Sequence, residues 1–88
     1  MSDPFLPGSP ESRWTSHAEL DASGLLCPLP VLKARKKLVS MASGERLLLI
    51  ATDAMAKIDV PHFCAEAGHK LVATETDDEK LRFLIERA

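Results

Sequence analysis

A chain of 88 residues with 11 Lys and Arg against 13 Asp and Glu is one small domain with a thin core and a net charge of −2, so no global basic field points to nucleic acid. Phe5, Trp14, Phe63 and Phe83 are its only aromatic side chains, too few for a platform on which single-stranded bases stack. No apolar run approaches the roughly 20 residues that span a bilayer, the first residues lack the basic and apolar regions of a secretory signal, and the two distant cysteines, Cys27 and Cys64, frame no disulfide scaffold and suit a reducing cytoplasm.

Residues 1–17 read apart from the rest. They hold Pro4, Pro7 and Pro10 with Ser2, Ser9, Ser12 and Ser16, the composition of a flexible extension. Phe5, Leu6 and Trp14 are the groups by which it could dock. A folded domain is predicted over 18–88. Its first strand is predicted at 18–22, where a short alternating run ends at Ser23-Gly24. Helical spacing then covers 30–42. Val31, Ala34, Leu38 and Met41 or Ala42 share a face, with Leu32 and Val39 alongside, and Ser43-Gly44 stops the helix. Leu47 to Ala51 is apolar on both faces and bounded by Gly44 and Asp53, which predicts a central strand over 46–52.

Val60, Phe63, Cys64 and Ala67 follow at i, i+3, i+4 and i+7, predicting a second helix that closes at Gly68. Asp59 is placed as its N-cap with Pro61 in the first turn, a start near Ala54 being the alternative. Strands are predicted at 71–76 and 81–85 about a turn at Asp77-Asp78, with Leu81, Phe83 and Ile85 on one face. The order β-α-β-α-β-β gives a two-layer α/β arrangement, a four-stranded mixed sheet with two helices on one face. No internal repeat is visible.

The chemistry concentrates in Gly24-Leu25-Leu26-Cys27-Pro28-Leu29-Pro30. A cysteine at a helix entrance meets first-turn amides and the positive end of the helix dipole, which favour thiolate over thiol. Lys33, Arg35, Lys36 and Lys37 follow closely and are expected to add to that effect, to face water, or to dock an acidic partner. Pro28 and Pro30 preset the backbone where missing N–H groups cost little. Pro30 also stands where a Cys-x-x-Cys motif has its resolving cysteine, so internal disulfide chemistry is excluded at this loop. Gly24, Pro28, Leu29 and Pro30 are read as shaping the site. Whichever of Leu25, Leu26 and Leu29 stay out of the core form an apolar docking rim.

The segments Leu20-Asp21-Ala22-Ser23-Gly24, Cys27-Pro28-Leu29-Pro30, Leu32-Lys33-Ala34-Arg35, Gly44-Glu45, Ala51-Thr52-Asp53 and Asp59 to Cys64 leading to Gly68-His69-Lys70-Leu71 occur in this order and spacing. Together they resemble the TusA/SirA-like sulfur-carrier family from about Leu20 to Arg87. The resemblance implies a two-layer α/β sandwich and a sulfurtransferase that carries sulfur as a persulfide on Cys27. It implies a sulfur-donor protein, either a cysteine desulfurase or a rhodanese, and a downstream sulfur-acceptor protein. No cofactor, metal, membrane or direct nucleic-acid partner is expected. Family members serve tRNA thiolation, molybdenum-cofactor sulfuration and sulfur oxidation, and the motif does not choose among these. Ala54 departs from the proline usual after the position of Asp53.

Several residues have blander readings. Cys64 lies on the apolar helix face and reads as core. A metal site from Cys27, His62, Cys64 and His69 fits by residue type but matches no zinc spacing. His62 and His69 could assist proton transfer, although histidines at helix ends are commonly exposed. The competing function is a non-catalytic interaction or regulatory module with the Cys27 loop as contact patch. RNA binding through Lys33 to Lys37 is opposed by the overall acidity and scarce aromatics.

Overall fold

The structure is a computed structural model that describes residues 14–88, so most of the expected extension lies outside the described residues. Six elements follow in order: β1 (Ala18–Ala22), α1 (Leu29–Val39), β2 (Arg46–Ala51), α2 (Ala56–Ala67), β3 (Lys70–Asp77) and β4 (Lys80–Glu86). The four strands form one sheet in the order β1-β2-β4-β3. β1 and β2 are parallel, joined by the α1 crossover, and the pairs β2–β4 and β4–β3 are antiparallel. This is the mixed two-layer α/β fold that the pattern predicts.

Alternation places the core. Ala22, Leu47, Leu49, Ala51, Leu81, Phe83 and Ile85 face the helices and meet Val31, Ala34 and Leu38 of α1 and Ala56, Val60, Phe63 and Cys64 of α2 in one buried cluster. A fully buried leucine such as Leu38, Leu47 or Leu49 is worth roughly 1.5–3 kcal/mol against exposure. Leu84 pairs with Leu48 and falls on the opposite face, where it too is fully buried. Around this apolar centre the same face is charged. Arg46 meets Glu86 at 3.2 Å, and Arg82 meets Glu75 at 3.1 Å and Asp77 at 3.7 Å. The doubly apolar run of β2 thus serves a helix-covered face and a mixed one.

Three boundaries differ from expectation. α1 ends at Val39 rather than 42, where Ser40 and Met41 close it with bonds to the Lys37 and Leu38 carbonyls. α2 starts at Ala56, close to the alternative start near Ala54, so Asp59 is within its first turn rather than its cap, and Pro61 is inside the helix. The reason is Asp53. Its Oδ1 accepts the Met55 N–H at 3.0 Å, and the Asp53, Ala54 and Met55 carbonyls take the next N–H groups. The helix is nucleated several residues before the apolar spacing becomes visible. The hairpin turn is Asp78-Glu79, with Asp78 at φ 54°. At the other end of the domain, His17 is tied to β2 by N–H donation to the Arg46 carbonyl at 2.8 Å and by its Nδ1 accepting the Arg46 N–H at 3.0 Å.

Candidate functional site

β1 and β2 are parallel neighbours, so the loops leaving their C-terminal ends lie side by side. The first carries Cys27 and the second carries Asp53. Gly24 makes the sharp turn out of β1 at φ 81°, which a side chain would resist. Its N–H donates to Thr52 Oγ1 at 2.8 Å, bridging to the second loop. The Cys27 N–H then donates to Asp53 Oδ2 at 2.8 Å. One carboxylate therefore holds the backbone on both sides of the cleft, at Cys27 and at Met55.

Pro28 is the N-cap of α1, Leu29 its first residue, and Pro30, fully buried, its second. The Cys27–Pro28 peptide bond is cis. The Leu29 N–H donates to the Leu26 carbonyl at 2.9 Å and the Leu32 N–H to the Pro28 carbonyl at 3.0 Å. With two prolines, these bonds leave the cysteine on a mount with few free torsions.

The electrostatics reverse the sequence expectation for the thiol. Cys27 is half-buried, and its thiol is pushed up to about 11. Burial is the largest cause. The neighbouring carboxylates of Asp59 and Asp53 come next, favouring the neutral thiol over a thiolate. Cys27 precedes the N-cap Pro28, and its own N–H is given to Asp53. The basic run turns elsewhere. Lys33, Lys36 and Lys37 line a depression of about 310 Å³ with Leu20 and Ser40, and Arg35 lies over the Phe63 ring on the other flank, 5.5 Å from its centroid.

The leucines divide. Leu25 is half-buried against the core, whereas Leu26 is 72% exposed and Leu29 and Leu32 are also exposed. Met55 and Ile58, the latter 64% exposed, add apolar surface from the start of α2. Sequence reasoning missed Met55 and Ile58 because they lie in a turn and on the outer side of a helix start, where no periodicity marks them. It also missed that the carboxylates of Asp53 and Asp59 disfavour a thiolate at Cys27. The available signal was the parallel pairing of the two apolar strands, which sets Asp53 and its following residues beside Cys27.

The remaining candidates lie apart. Cys64 is 2% exposed in the core, and burial alone pushes its thiol up to about 11. His62 pairs with Glu66 at 2.7 Å on the exposed side of α2. His69 Nδ1 accepts the Ala88 N–H at 3.0 Å, and its ring lies 5.6 Å from that of Phe63. Among the described residues, no three His, Cys, Asp or Glu side chains are grouped as a metal site. No helix of the described residues is long and apolar enough to cross a membrane.

These features define a small α/β domain that presents one half-buried cysteine on a proline-stiffened loop, at the C-terminal edge of a parallel strand pair. The family model described as Sulfurtransferase TusA matches residues 18–87, and the chain belongs to that family. Among solved structures, it is similar to a SirA-like protein from Desulfitobacterium hafniense, with 21% identity and a TM-score of 0.70 over 78% of this chain and 95% of that one. That likeness is one of fold. Family membership brings a general sulfur-carrier role and, with it, a sulfur donor and a sulfur acceptor.

Proposed function

We propose that the protein accepts sulfur as a persulfide on Cys27 and passes it to an acceptor protein. The observation that carries this reading is the mount: within a sulfurtransferase family, Cys27 is the more accessible of two thiols, and both neighbouring loops are organised around it. The donor is a protein persulfide of the kind made by a cysteine desulfurase or a rhodanese. Cys27 Sγ bonds to the outer sulfur of the donor persulfide, and the donor sulfur–sulfur bond breaks. The departing donor thiolate takes up the proton that Cys27 gives, so a thiol and a persulfide exchange partners with no external oxidant. Transfer onward reverses the roles, with Cys27 as leaving group.

Pro28 and Pro30 fix the attack geometry, and Gly24 lets the loop turn toward Thr52. Leu26 and Leu29, with Met55 and Ile58, form the apolar rim on which donor and acceptor dock in turn. Lys33, Lys36 and Lys37 on one flank of α1 and Arg35 on the other add charge for docking an acidic partner. Residues 18–88 act as the carrier domain.

Intact-protein mass spectrometry tests this after incubation with a cysteine desulfurase, pyridoxal phosphate and cysteine, then with a rhodanese and thiosulfate. A reducible gain of about one sulfur atom, roughly 32 Da, retained in Cys64→Ser and lost in Cys27→Ser, is the expected result. No gain with either donor overturns the reading and leaves the interaction module. That module predicts Cys27→Ser to bind partners as the wild type does.

A further inference from the structure

The two edges of the sheet differ. β3 carries a β-bulge between Leu71 and Ala73, an irregularity that blunts an edge against a further strand. β1 has none. Its residues from Ala18 to Ala22 register with β2 without a break, and its outer side bonds no strand among the described residues. The two faces of that edge carry opposite charge. On the helix side, Leu20 lines the depression of about 310 Å³ together with Lys33, Lys36 and Lys37 of α1. Spacing at i, i+3 and i+4 puts the lysines on one stripe of the helix. All three are exposed, and none forms an ion pair among the described residues. On the other side, β1 presents Glu19 and Asp21, both exposed, in register with Leu48 and Ile50. Two nearer occupants are unfit for this edge. A second copy pairing antiparallel through β1 would set acid against acid on one face and lysine against lysine on the other, and like charges directly opposite destabilise a strand pair. Residues 1–13 hold Pro4, Pro7 and Pro10, and proline has no N–H to give to a ladder.

We propose that the outer edge of β1 is a docking site for an extended segment of a partner protein in which acidic and basic side chains alternate, the acids turned toward Lys33, Lys36 and Lys37 and the bases toward Glu19 and Asp21. Main-chain hydrogen bonds to β1 supply affinity whatever the sequence, and the two-residue alternation of a strand supplies specificity. The spacings agree. Acids two residues apart on a strand lie about 6.6 Å apart, and Lys33 and Lys37 are about 6 Å apart along the helix axis. On the opposite face, a base directly across from Glu19 or Asp21 has its Cβ about 4.5–5.5 Å from that of the acid. Ala22, the last residue of β1, leads through Gly24 into the Cys27 loop, so a partner held on this edge is held beside the thiol. The proposal deepens the carrier reading and rests on it for its biological meaning, while its test uses binding and no sulfur.

The test is an amide NMR titration of the full chain with two end-blocked peptides of the same composition and no net charge, one alternating Glu and Lys and the other a block of Glu followed by a block of Lys. The alternating peptide is expected to shift the amides of β1 from Ala18 to Ala22 and to slow hydrogen exchange at those that point outward. The block peptide can satisfy only one face of the edge at a time, and should bind about tenfold more weakly. Glu19→Lys, at an exposed position, should weaken the alternating peptide about threefold and leave the block peptide unchanged. Equal binding of the two peptides, shifts confined to the lysines of α1, or no binding of the alternating peptide overturns the proposal. Outward amides of β1 already protected in the free chain overturn it in favour of residues 1–13 as the occupant, and β1 shifts that depend on protein concentration without peptide do so in favour of a second copy. The wild-type titration decides the matter even if the variant fails to fold. Strand addition in a protein that takes no sulfur in the mass-spectrometric assay removes the carrier reading and leaves the docking edge.

Discussion

Leu38→Ala separates the mount from the site. Leu38 is fully buried in the last turn of α1, in the cluster that binds this helix to β2 and α2. Truncating a buried leucine to alanine costs about 2–5 kcal/mol, the transfer term plus the residual cavity. Val39 beside it is exposed, so the end of the helix can settle partly into the gap, and about 3 kcal/mol is the expected loss. In a domain this small, each kcal/mol moves Tm by about 4–8 °C, so the melt should fall by about 12–24 °C. Urea titration followed by circular dichroism should show a lower midpoint at an unchanged slope. The Leu38 carbonyl, which accepts from Arg87 Nε at 2.7 Å, is a backbone group and survives the substitution. Leu29 begins the helix about 14 Å away at 1.5 Å per residue. Sulfur loading of Cys27, measured well below the variant's melt, should therefore stay within about twofold of wild type. A loss under about 1 kcal/mol would refute the assignment of Leu38 to the core. Loss of loading in a folded variant would refute the separation of the helix anchor from the thiol.

Cys64→Ser should leave the mass gain on Cys27 intact while lowering stability by about 1–3 kcal/mol, because a hydroxyl enters an apolar site; urea denaturation reads the loss. Gly68→Ala tests the helix end alone: Gly68 sits at φ 78° and an added Cβ would meet no atom within 4 Å, so the cost is conformational, about 1 kcal/mol, and is read by thermal melting. The Asp53 carboxyl is held below its ordinary value, first by the Cys27 N–H and then by that of Met55. A carboxyl lowered in the folded state adds stability above its unfolded value, and that stability is lost as pH falls through the folded one. The wild type should thus weaken below about pH 4, and Asp53→Asn should show a flatter acid limb in melts from pH 7 to pH 2. An acid limb as steep as wild type would argue that the bridging bonds do not form in solution.

The fold was legible because each element announces itself by period. Val31, Ala34 and Leu38 mark the inner face of α1, and Leu81, Phe83 and Ile85 that of β4, and both sets occupy the buried cluster. The central place of β2 followed from its being apolar on both sides, although pattern alone could not say that Leu84 and Leu48 would share the rear face with arginine–carboxylate pairs. Spacing could not decide between the two starts read for α2, because the first turn is built by Asp53 and by backbone carbonyls, and such bonds leave no trace in hydrophobic spacing. The thiol was misjudged for a related reason. Helix-entrance chemistry is a local argument, whereas the groups that act on Cys27 arrive from residues 26 and 32 positions later in the chain. Only the parallel registration of Ala22 with Ala51 brings those loops together.

The same geometry limits what Cys27 chemistry can be. Pro30, at the second position of α1, is fully buried, and both cysteines are free thiols. Cys64 is inside the helix–sheet core, with its thiol enclosed by apolar neighbours, while Cys27 is on the loop outside it. Attack on a persulfide at Cys27 from within the chain would need Cys64 to leave the core and to ionise there, against burial that already disfavours its thiolate. Sulfur carried on Cys27, as proposed, would therefore have no intramolecular exit to a disulfide. Its route off the protein would then be a nucleophile on another molecule. An internal resolving thiol would instead release the sulfur as sulfide before any acceptor arrived. The direct check is to load wild type and Cys64→Ser with sulfur and follow both without an acceptor. Equal lifetimes of the added mass are expected, and a longer lifetime in Cys64→Ser would show that the buried thiol reaches Cys27 after all.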